Sequence, residues 1–141
     1  MKHYTVVAAV ITRKNKNDKI EVFCAQRPGP KAGKEPNETN YKWEFPGGKI
    51  ETGETPKQAL VREISEELDS KIDVGEFICT VDHEYKTFSI TMHAYICTLI
   101  SGNLILKEHL ASDWVNVSKL MDKDWAPADI PIAKKIQSLQ I

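Results

Sequence analysis

Two apolar stretches near the start of the chain predict a pair of strands. Residues 4–13 and 20–26 are rich in β-branched side chains, and the polar segment 14–19 between them contains Asn and Asp, which tolerate turn geometry. The two stretches therefore predict a hairpin. Further strands are predicted from runs rich in β-branched and aromatic residues, at 76–85, 87–99 and 114–115.

A long polar stretch separates this hairpin from the next predicted strand. Residues 28–42 carry three prolines, two glycines and few side chains that could pack, so we expect an exposed loop. A strand is expected at 43–45 and stops at Pro46-Gly47-Gly48. The following residues, 49–54, predict a tight loop.

The central helix is predicted from its capping residues. Thr55 is the expected N-cap, Pro56 fits the first helical position and Gln58 completes a capping box, while strong helix formers continue to Leu68. A second helix is predicted at the end of the chain from one apolar stripe, formed by Pro131, Ile132, Ile136 and Leu139.

Length and charge narrow the classes of function. A chain of 141 residues fits one domain, 1–141, and the formal charge of −1 leaves no field to attract a long nucleic acid. No stretch approaches the roughly twenty apolar residues of a membrane helix. We expect the apolar start to be a strand rather than a signal peptide, and the protein to be cytoplasmic. Reduced core residues are expected at Cys24, Cys79 and Cys97.

Three glutamates fall on one side of the central helix. At about 100° per residue, Glu63, Glu66 and Glu67 lie within an arc of about 100°. Such like-charged pairs destabilise an isolated helix, and Mg²⁺, which prefers carboxylate oxygens, would offset this. A solvated acidic face explains the same spacing, so the three glutamates alone do not distinguish a metal site from an exposed helix surface. The neighbouring face, expected to be buried, comprises Leu60, Val61, Ile64 and Leu68.

The loop before the helix supplies a second signal. Gly47, Gly48 and Gly53 free the backbone to approach a ligand closely. Five residues separate Gly48 from Glu54, and seven more lead to Arg62-Glu63-Ile64-Ser65-Glu66-Glu67. This spacing resembles the Nudix box, G-x5-E-x7-R-E-U-x-E-E-x-G-U, where U is aliphatic. On this box the chain is identified as a member of the Nudix hydrolase family.

The resemblance departs at the end of the box. Asp69 stands where the family has glycine, and Ser70 where it has an aliphatic residue. Because Asp visits the left-handed region more readily than most residues, we still expect Asp69 to end the helix. Ile72 would supply the missing apolar contact.

Likeness to the MutT-type and CTP-pyrophosphohydrolase branches extends from Val6 through Ile136. It implies an α/β fold, an α/β/α sandwich with a mixed, curved sheet between helices. It also implies Mg²⁺-dependent hydrolysis of a small nucleoside triphosphate to a monophosphate and pyrophosphate, with Mn²⁺ as a substitute metal. The landmarks outside the box are Gln26-Arg27-Pro28, the run from Trp43 to Lys49, and Pro127-Ala128-Asp129-Ile130-Pro131.

The family pattern implies which residues hold metal and catalyse. Arg62 would orient a neighbouring glutamate, and Glu67, Glu63 or Glu108 would accept a proton from the attacking water, a choice the sequence leaves open. Glu54 is expected to tighten its loop. As a lone glutamate in a polar loop, Glu108 is also explained by solvation alone. The metal ligands implied are the carbonyl of Gly47 and the carboxylates of Glu63, Glu66, Glu67 and Glu108.

Candidate substrate contacts lie outside the box. Arg27 and Lys49 would contact the phosphates or the base, or they are solvated charges. Asp129 stands where related enzymes read the base edge, but it is also a suitable N-cap for the last helix, so both roles stay open. If ionised, it suits hydrogen-bond donors of cytosine or guanine. Phe45 would stack on a base or belong to the core, as would Tyr85, Phe88 and Trp125.

Several functions remain compatible with this pattern. The run Pro127 to Pro131 favours CTP, dCTP and 5-substituted cytosine triphosphates, while oxidised triphosphates such as 8-oxo-dGTP imply nucleotide-pool sanitisation and DNA repair. An ADP-ribose or nucleoside diphosphate-derivative pyrophosphatase is the alternative enzyme. A non-catalytic Nudix-like recognition module is a further alternative, although such modules lose the box glutamates. Monomer and homodimer are both compatible with the sequence.

Overall fold

Two helices lie against opposite faces of one seven-stranded mixed sheet. The structure is a computed structural model that describes residues 1–139; the last two residues of the predicted domain 1–141 lie outside the described residues. The elements are β1 (Lys2–Lys14), β2 (Ile20–Gln26), β3 (Trp43–Glu44), β4 (Gly47–Lys49), α1 (Pro56–Leu68), β5 (Lys71–Glu84), β6 (Phe88–Ser101), β7 (Ala111–Asn116) and α2 (Ile130–Ser138).

The sheet is built around β1. Its main order is β3-β2-β1-β6-β5, with β4 paired to β1 and β7 paired to β2. The contact between β1 and β6 is parallel, whereas the other strand pairs are antiparallel. Both the predicted hairpin of β1 and β2 and the mixed sheet between helices are therefore confirmed.

Strand β1 is buried on both faces, which explains its continuous apolar run. Val7, Ala9 and Ile11 pack in the core cluster that contains the buried face of α1. Ala8 and Val10 pack in the other cluster, with the buried residues of α2. Successive side chains of a strand point to opposite faces, so one strand serves both cores.

Helix α1 has the predicted ends. The Thr55 hydroxyl accepts the Gln58 N–H at 3.2 Å, and the Gln58 side chain accepts the Thr55 N–H at 3.0 Å, which completes the capping box. At the other end Asp69 adopts the left-handed conformation, with φ 49° and ψ 44°. Ile72 is 2% exposed and belongs to the same core cluster as Leu68.

Three details differ from the expectations. Residues 47–49 form a strand rather than a loop, because β1 offers them an antiparallel partner. Val61 is 37% exposed, since the sheet lies under Leu60 and its i+4 neighbours and Val61 is about 100° away on the helix. Pro131 is likewise exposed, and α2 buries Ile132, Ala133 and Ile136 instead.

The remaining structural expectations concern the loop, the cysteines and membrane spans. None of residues 28–42 is buried, as predicted. The three cysteines are free; Cys24 and Cys97 are buried and Cys79 is half-buried. Within residues 1–139, neither helix has the length and apolar character needed to cross a membrane.

Candidate active site

Arg62 organises the loop between β4 and α1. Its guanidinium donates to both carboxylate oxygens of Glu54, at 2.7 and 3.0 Å, and to the Lys49 carbonyl at 2.9 Å. It also donates to Glu63 at 3.0 Å and to Glu66 at 3.2 Å. The helix and the loop are therefore joined by one side chain, which also orients two of the box glutamates.

Glu54 tightens the loop, as the sequence predicted. Besides binding Arg62, it accepts the Glu51 N–H at 2.9 Å. The hydrogen bond from Arg62, followed by that backbone bond, lowers the pKa of Glu54, so its carboxylate stays ionised.

Gly48 makes room for the carboxylate of Glu63. A Cβ atom added at Gly48 would overlap the carboxyl group of Glu63, so the side chain lies directly against the backbone of β4. The side chain of Glu63 is 15% exposed. Burial raises its pKa, while the hydrogen bond and charge of Arg62 lower it, with a net upward shift.

The box glutamates line one small cavity, which we call the acidic cavity. Its lining residues are Glu63, Glu66, Glu67, Lys107 and Glu108, and its volume is about 220 Å³. The late loop that follows β6 thus brings Glu108 to the same cavity as the three glutamates of α1. This juxtaposition joins residues more than forty positions apart in the sequence.

Glu67 forms the inner wall of the acidic cavity. Its Oε2 is buried and has no hydrogen-bond partner among the described residues. Burial, followed by the charges of Glu44, Glu63 and Glu108, raises the pKa of Glu67 while the charge of His109 lowers it, and the net value is about 8. A buried, unpartnered carboxylate oxygen surrounded by other carboxylates is the environment that a hard cation would stabilise.

The side chains as they lie are not yet arranged around one point. Within residues 1–139, no group of three or more His, Cys, Asp or Glu side chains has the geometry of a metal site. Glu63 and Glu66 are hydrogen-bonded to the guanidinium of Arg62. The donor set nevertheless fits a divalent cation, because oxygen ligands are present and one of them is unpaired.

A second cavity, which we call the apolar pocket, adjoins the first. It has a volume of about 240 Å³, and Glu67 also lines it. Gly47 and Gly48 lie in its wall. The other lining residues used below are Arg27, Glu44, Phe45, Tyr85, Phe88 and Asp129.

Asp129 faces the apolar pocket and does not cap α2. It is 5% exposed, and its Oδ2 accepts the Phe45 N–H at 3.0 Å. A short 3-10 turn, Pro127–Asp129, precedes α2, so Asp129 is itself helical with φ −86° and ψ −17° and makes no capping bond. Of the two roles left open for Asp129, the capping hydrogen bond is therefore not formed, although the residue occupies the N-cap position of α2. Burial raises the pKa of Asp129 well above its usual value, and the charge of Glu44 adds to the shift.

The candidate aromatic residues divide between core and pocket. Phe45 is 3% exposed and stacks on Trp125, with ring centroids 4.5 Å apart. Its ring also lines the apolar pocket, as do those of Tyr85 and Phe88. Trp125 instead packs in the core and donates its indole N–H to the Leu120 carbonyl at 2.7 Å.

The two candidate cations have different surroundings. Arg27 lines the apolar pocket, where it donates to Glu44 at 3.1 Å. Lys49 is exposed, and its ammonium lies 4.1 Å from the centre of the Tyr4 ring. Lys49 therefore lies outside the residues that line either cavity.

Two residues beside the site carried no assigned role in the sequence. Glu44 binds Arg27 on one side and His109 on the other, where His109 Nε2 lies 2.8 Å from its Oε2. His109 adjoins the candidate Glu108, and Glu44 adjoins the candidate Phe45. Their place in the sequence next to predicted site residues was the only signal that could have identified Glu44 and His109. Their pairing with each other, across 65 positions, could not be seen in the sequence.

Comparisons with known proteins agree on one family. A family model described as NUDIX domain matches residues 1–136. The chain is 36% identical to the CTP pyrophosphohydrolase of Escherichia coli, over 99% of this chain and 96% of that protein. It is 30% identical to the 8-oxo-dGTP diphosphatase of the same organism, over 99% and 100% of the two chains. The solution structure of MutT, a Nudix hydrolase from methicillin-resistant Staphylococcus aureus, is similar with a TM-score of 0.71 and 38% identity, covering 98% of both chains.

Proposed function

Because this chain belongs to the NUDIX domain family, we propose that it hydrolyses the phosphoanhydride chain of a small nucleoside triphosphate to a nucleoside monophosphate and pyrophosphate. The observation that carries the proposal is the position of Glu67, which lines both the acidic cavity and the apolar pocket. A nucleotide whose base occupies the apolar pocket would direct its phosphates towards the acidic cavity. The two cavities therefore match the two chemically different ends of the substrate.

Family members require a divalent metal, and we propose Mg²⁺, with Mn²⁺ as a substitute. Its ligands would be the Gly47 carbonyl and the carboxylates of Glu63, Glu66, Glu67 and Glu108. When bound there, the cation would neutralise phosphate oxygens and make an attacking water more acidic. The unpaired Oε2 of Glu67 supports this assignment, because a buried carboxylate without a partner is costly.

The other side chains of the site would position the metal ligands and transfer the proton. Arg62, which donates a hydrogen bond to the carboxylate of Glu63, would hold that carboxylate in place until the metal binds it. Glu67, Glu63 or Glu108 would accept a proton from water. Glu67 is favoured by its position, since it lines both the acidic cavity and the apolar pocket.

Base selection would fall to the apolar pocket. Phe45 and Tyr85 supply aromatic walls, and Asp129 uses one oxygen for the Phe45 N–H, which leaves Oδ1 to contact the base. Burial raises the pKa of Asp129 and so favours the neutral carboxyl, a group that can donate as well as accept. Arg27 would contact the nucleotide from the pocket side, whereas Lys49 would reach the phosphates only from outside.

Two substrate classes follow from the relatives, and the chain resembles both. We propose cytosine triphosphates, including 5-substituted ones, as the first class, since the relative named CTP pyrophosphohydrolase has 36% identity. Oxidised purine triphosphates are the second, by similarity to the 8-oxo-dGTP diphosphatase. Activity on the second class would make the protein a nucleotide-pool sanitising enzyme that serves DNA repair.

The deciding experiment is a screen of nucleotides in the presence of Mg²⁺, which scores pyrophosphate against orthophosphate release and ranks substrates by kcat/KM. We expect pyrophosphate from CTP, 5-methyl-dCTP or 8-oxo-dGTP and no turnover in EDTA. Turnover confined to ADP-ribose or other diphosphate derivatives would contradict the triphosphate assignment. Binding of nucleotides without turnover would instead indicate a recognition module.

A further inference from the structure

The late loop between β6 and β7 carries Glu108, and its position depends on few contacts. Backbone bonds fix its two ends: Ile105 N–H donates to the Leu68 carbonyl and Leu110 N–H to the Gln26 carbonyl, both at 2.9 Å. Between these ends, Leu106 packs against the core cluster of α1, whereas Lys107 and Glu108 are exposed. An exposed carboxylate keeps a fixed place only if an anchor next to it holds the backbone.

His109 is that anchor by its geometry. Its side chain is 5% exposed, and its Nε2 lies 2.8 Å from the Oε2 of Glu44. Since an ionised carboxylate only accepts, the imidazole Nε2–H is the donor. Its Nδ1 is buried without a hydrogen-bond partner among the described residues, so the Glu44 contact is the one polar bond recorded for this ring.

Glu44 is itself held firmly. Arg27 donates to its Oε1 at 3.1 Å, and His109 occupies its Oε2, so both oxygens of this half-buried carboxylate are bound. β3, which contains Glu44, is paired with β2. The loop is thereby tied through His109 to the rigid sheet rather than to another loop.

We propose that His109 is a positioning residue, whose hydrogen bond to Glu44 holds the late loop so that Glu108 faces Glu63 and Glu67 across the acidic cavity. This inference rests on the proposed function, since it assigns Glu108 to the metal site. His109 does not touch the cation; it acts through the backbone of its neighbour. Residues that orient a ligand in this way commonly change metal affinity when they are replaced.

Two substitutions separate the hydrogen bond from the bulk of the side chain. In His109→Gln the amide nitrogen lies the same number of bonds from Cβ as Nε2 of the imidazole, so it can still donate to Glu44. In His109→Asn the amide lies at the place of Nδ1 and cannot reach. Both variants are polar and smaller than histidine, which makes them a matched pair.

The test measures Mn²⁺ binding to the protein without nucleotide, by calorimetry and by the paramagnetic resonance signal of free Mn²⁺. We expect His109→Asn to weaken binding by about tenfold or more, and His109→Gln to retain most of the wild-type affinity. Hydrogen exchange of residues 105–110 should rise in His109→Asn alone. Thermal unfolding of all variants shows whether the fold is kept.

A double substitution tests whether His109 acts through Glu108. If it does, adding His109→Asn to Glu108→Gln should weaken Mn²⁺ binding little beyond the effect of Glu108→Gln by itself. Full additivity, wild-type affinity in His109→Asn, or no rescue by His109→Gln would each overturn the inference. Failure of the wild-type protein to bind Mn²⁺ would instead overturn the proposed function.

Discussion

The acidic cavity and the apolar pocket share Glu67 but are assembled in different ways. Glu63, Glu66 and Glu67, three of the five residues that line the acidic cavity, lie within about one turn of α1. The apolar pocket takes residues from β1, β3 and β6, from the turn after β5 and from the segment before α2. A short stretch of sequence thus supplies three of the four carboxylates of the first cavity, whereas the residues of the second come from all over the fold.

The two cavities also differ in the surroundings and exposure of their charged side chains. In the acidic cavity, four carboxylates and one lysine lie close together, and Glu66 has a side chain that is 62% exposed. In the apolar pocket, Asp129 is 5% exposed; Arg27, Glu44 and Glu67 also line this pocket, but most of its lining residues are aromatic or aliphatic. Phosphate chemistry and base selection should therefore respond to different substitutions, and variants can test that separation.

The largest effect on turnover is expected for Glu67→Gln, which removes the carboxyl group proposed to bind the metal at the shared wall. We expect kcat to fall by about a thousandfold, the order of magnitude for losing a general base. The fall should be similar for every nucleotide, because Gln keeps the size of the side chain at the shared wall and the other walls of the apolar pocket are unchanged. A kcat close to that of the wild type would contradict the proposed site, and a changed substrate ranking would contradict the separation of the two cavities.

The same substitution should raise stability when metal is absent. Burial raises the pKa of Glu67 in the folded protein to about 8, so the folded state keeps a proton that the unfolded chain loses above its ordinary value of 4.5. Wild-type stability therefore falls as pH rises from about 4.5 towards 8, and the Glu67→Gln variant, which has no carboxyl group to titrate there, escapes this loss. Thermal unfolding in EDTA should show equal midpoints near pH 4 and a higher midpoint for Glu67→Gln at pH 8.

A smaller effect, on the preference among nucleotides, is expected when Asp129 in the apolar pocket is replaced by Asn or Ala. Asn keeps an acceptor for the Phe45 N–H but changes the groups offered to the base, so kcat/KM ratios between cytosine and 8-oxoguanine triphosphates should shift by about tenfold to a hundredfold. Ala also leaves that N–H unpaired, which costs about 1–3 kcal/mol of unfolding free energy. An unchanged ranking in both variants would exclude Asp129 from base selection.

The difference between the cavities explains what the sequence could predict. The box glutamates, the Thr55 cap and the left-handed Asp69 were predicted because each depends on residues a few positions apart. The pairing of Glu44 with His109 depends on contacts across 65 positions and was not predicted. Similarly, the local sequence suggested that the Asp129 side chain caps α2, but this side chain instead accepts a hydrogen bond from Phe45, 84 positions away.

The smallest effect is expected for Thr55→Ala, which removes the cap of α1 but no residue of either cavity. The Gln58 N–H loses its acceptor, and the free energy of unfolding should fall by about 1 kcal/mol in urea titration. Glu63 and Glu67 lie about two and three turns further along, where burial of Leu60, Ile64 and Leu68 and the bonds of Arg62 still fix the helix. We therefore expect kcat and substrate ranking to stay near wild type, with Thr52→Ala in the exposed loop as the control. A large loss of kcat in Thr55→Ala alone would mean that the start of α1 controls the three helical carboxylates, and that their placement depends on more than their own turn of the helix.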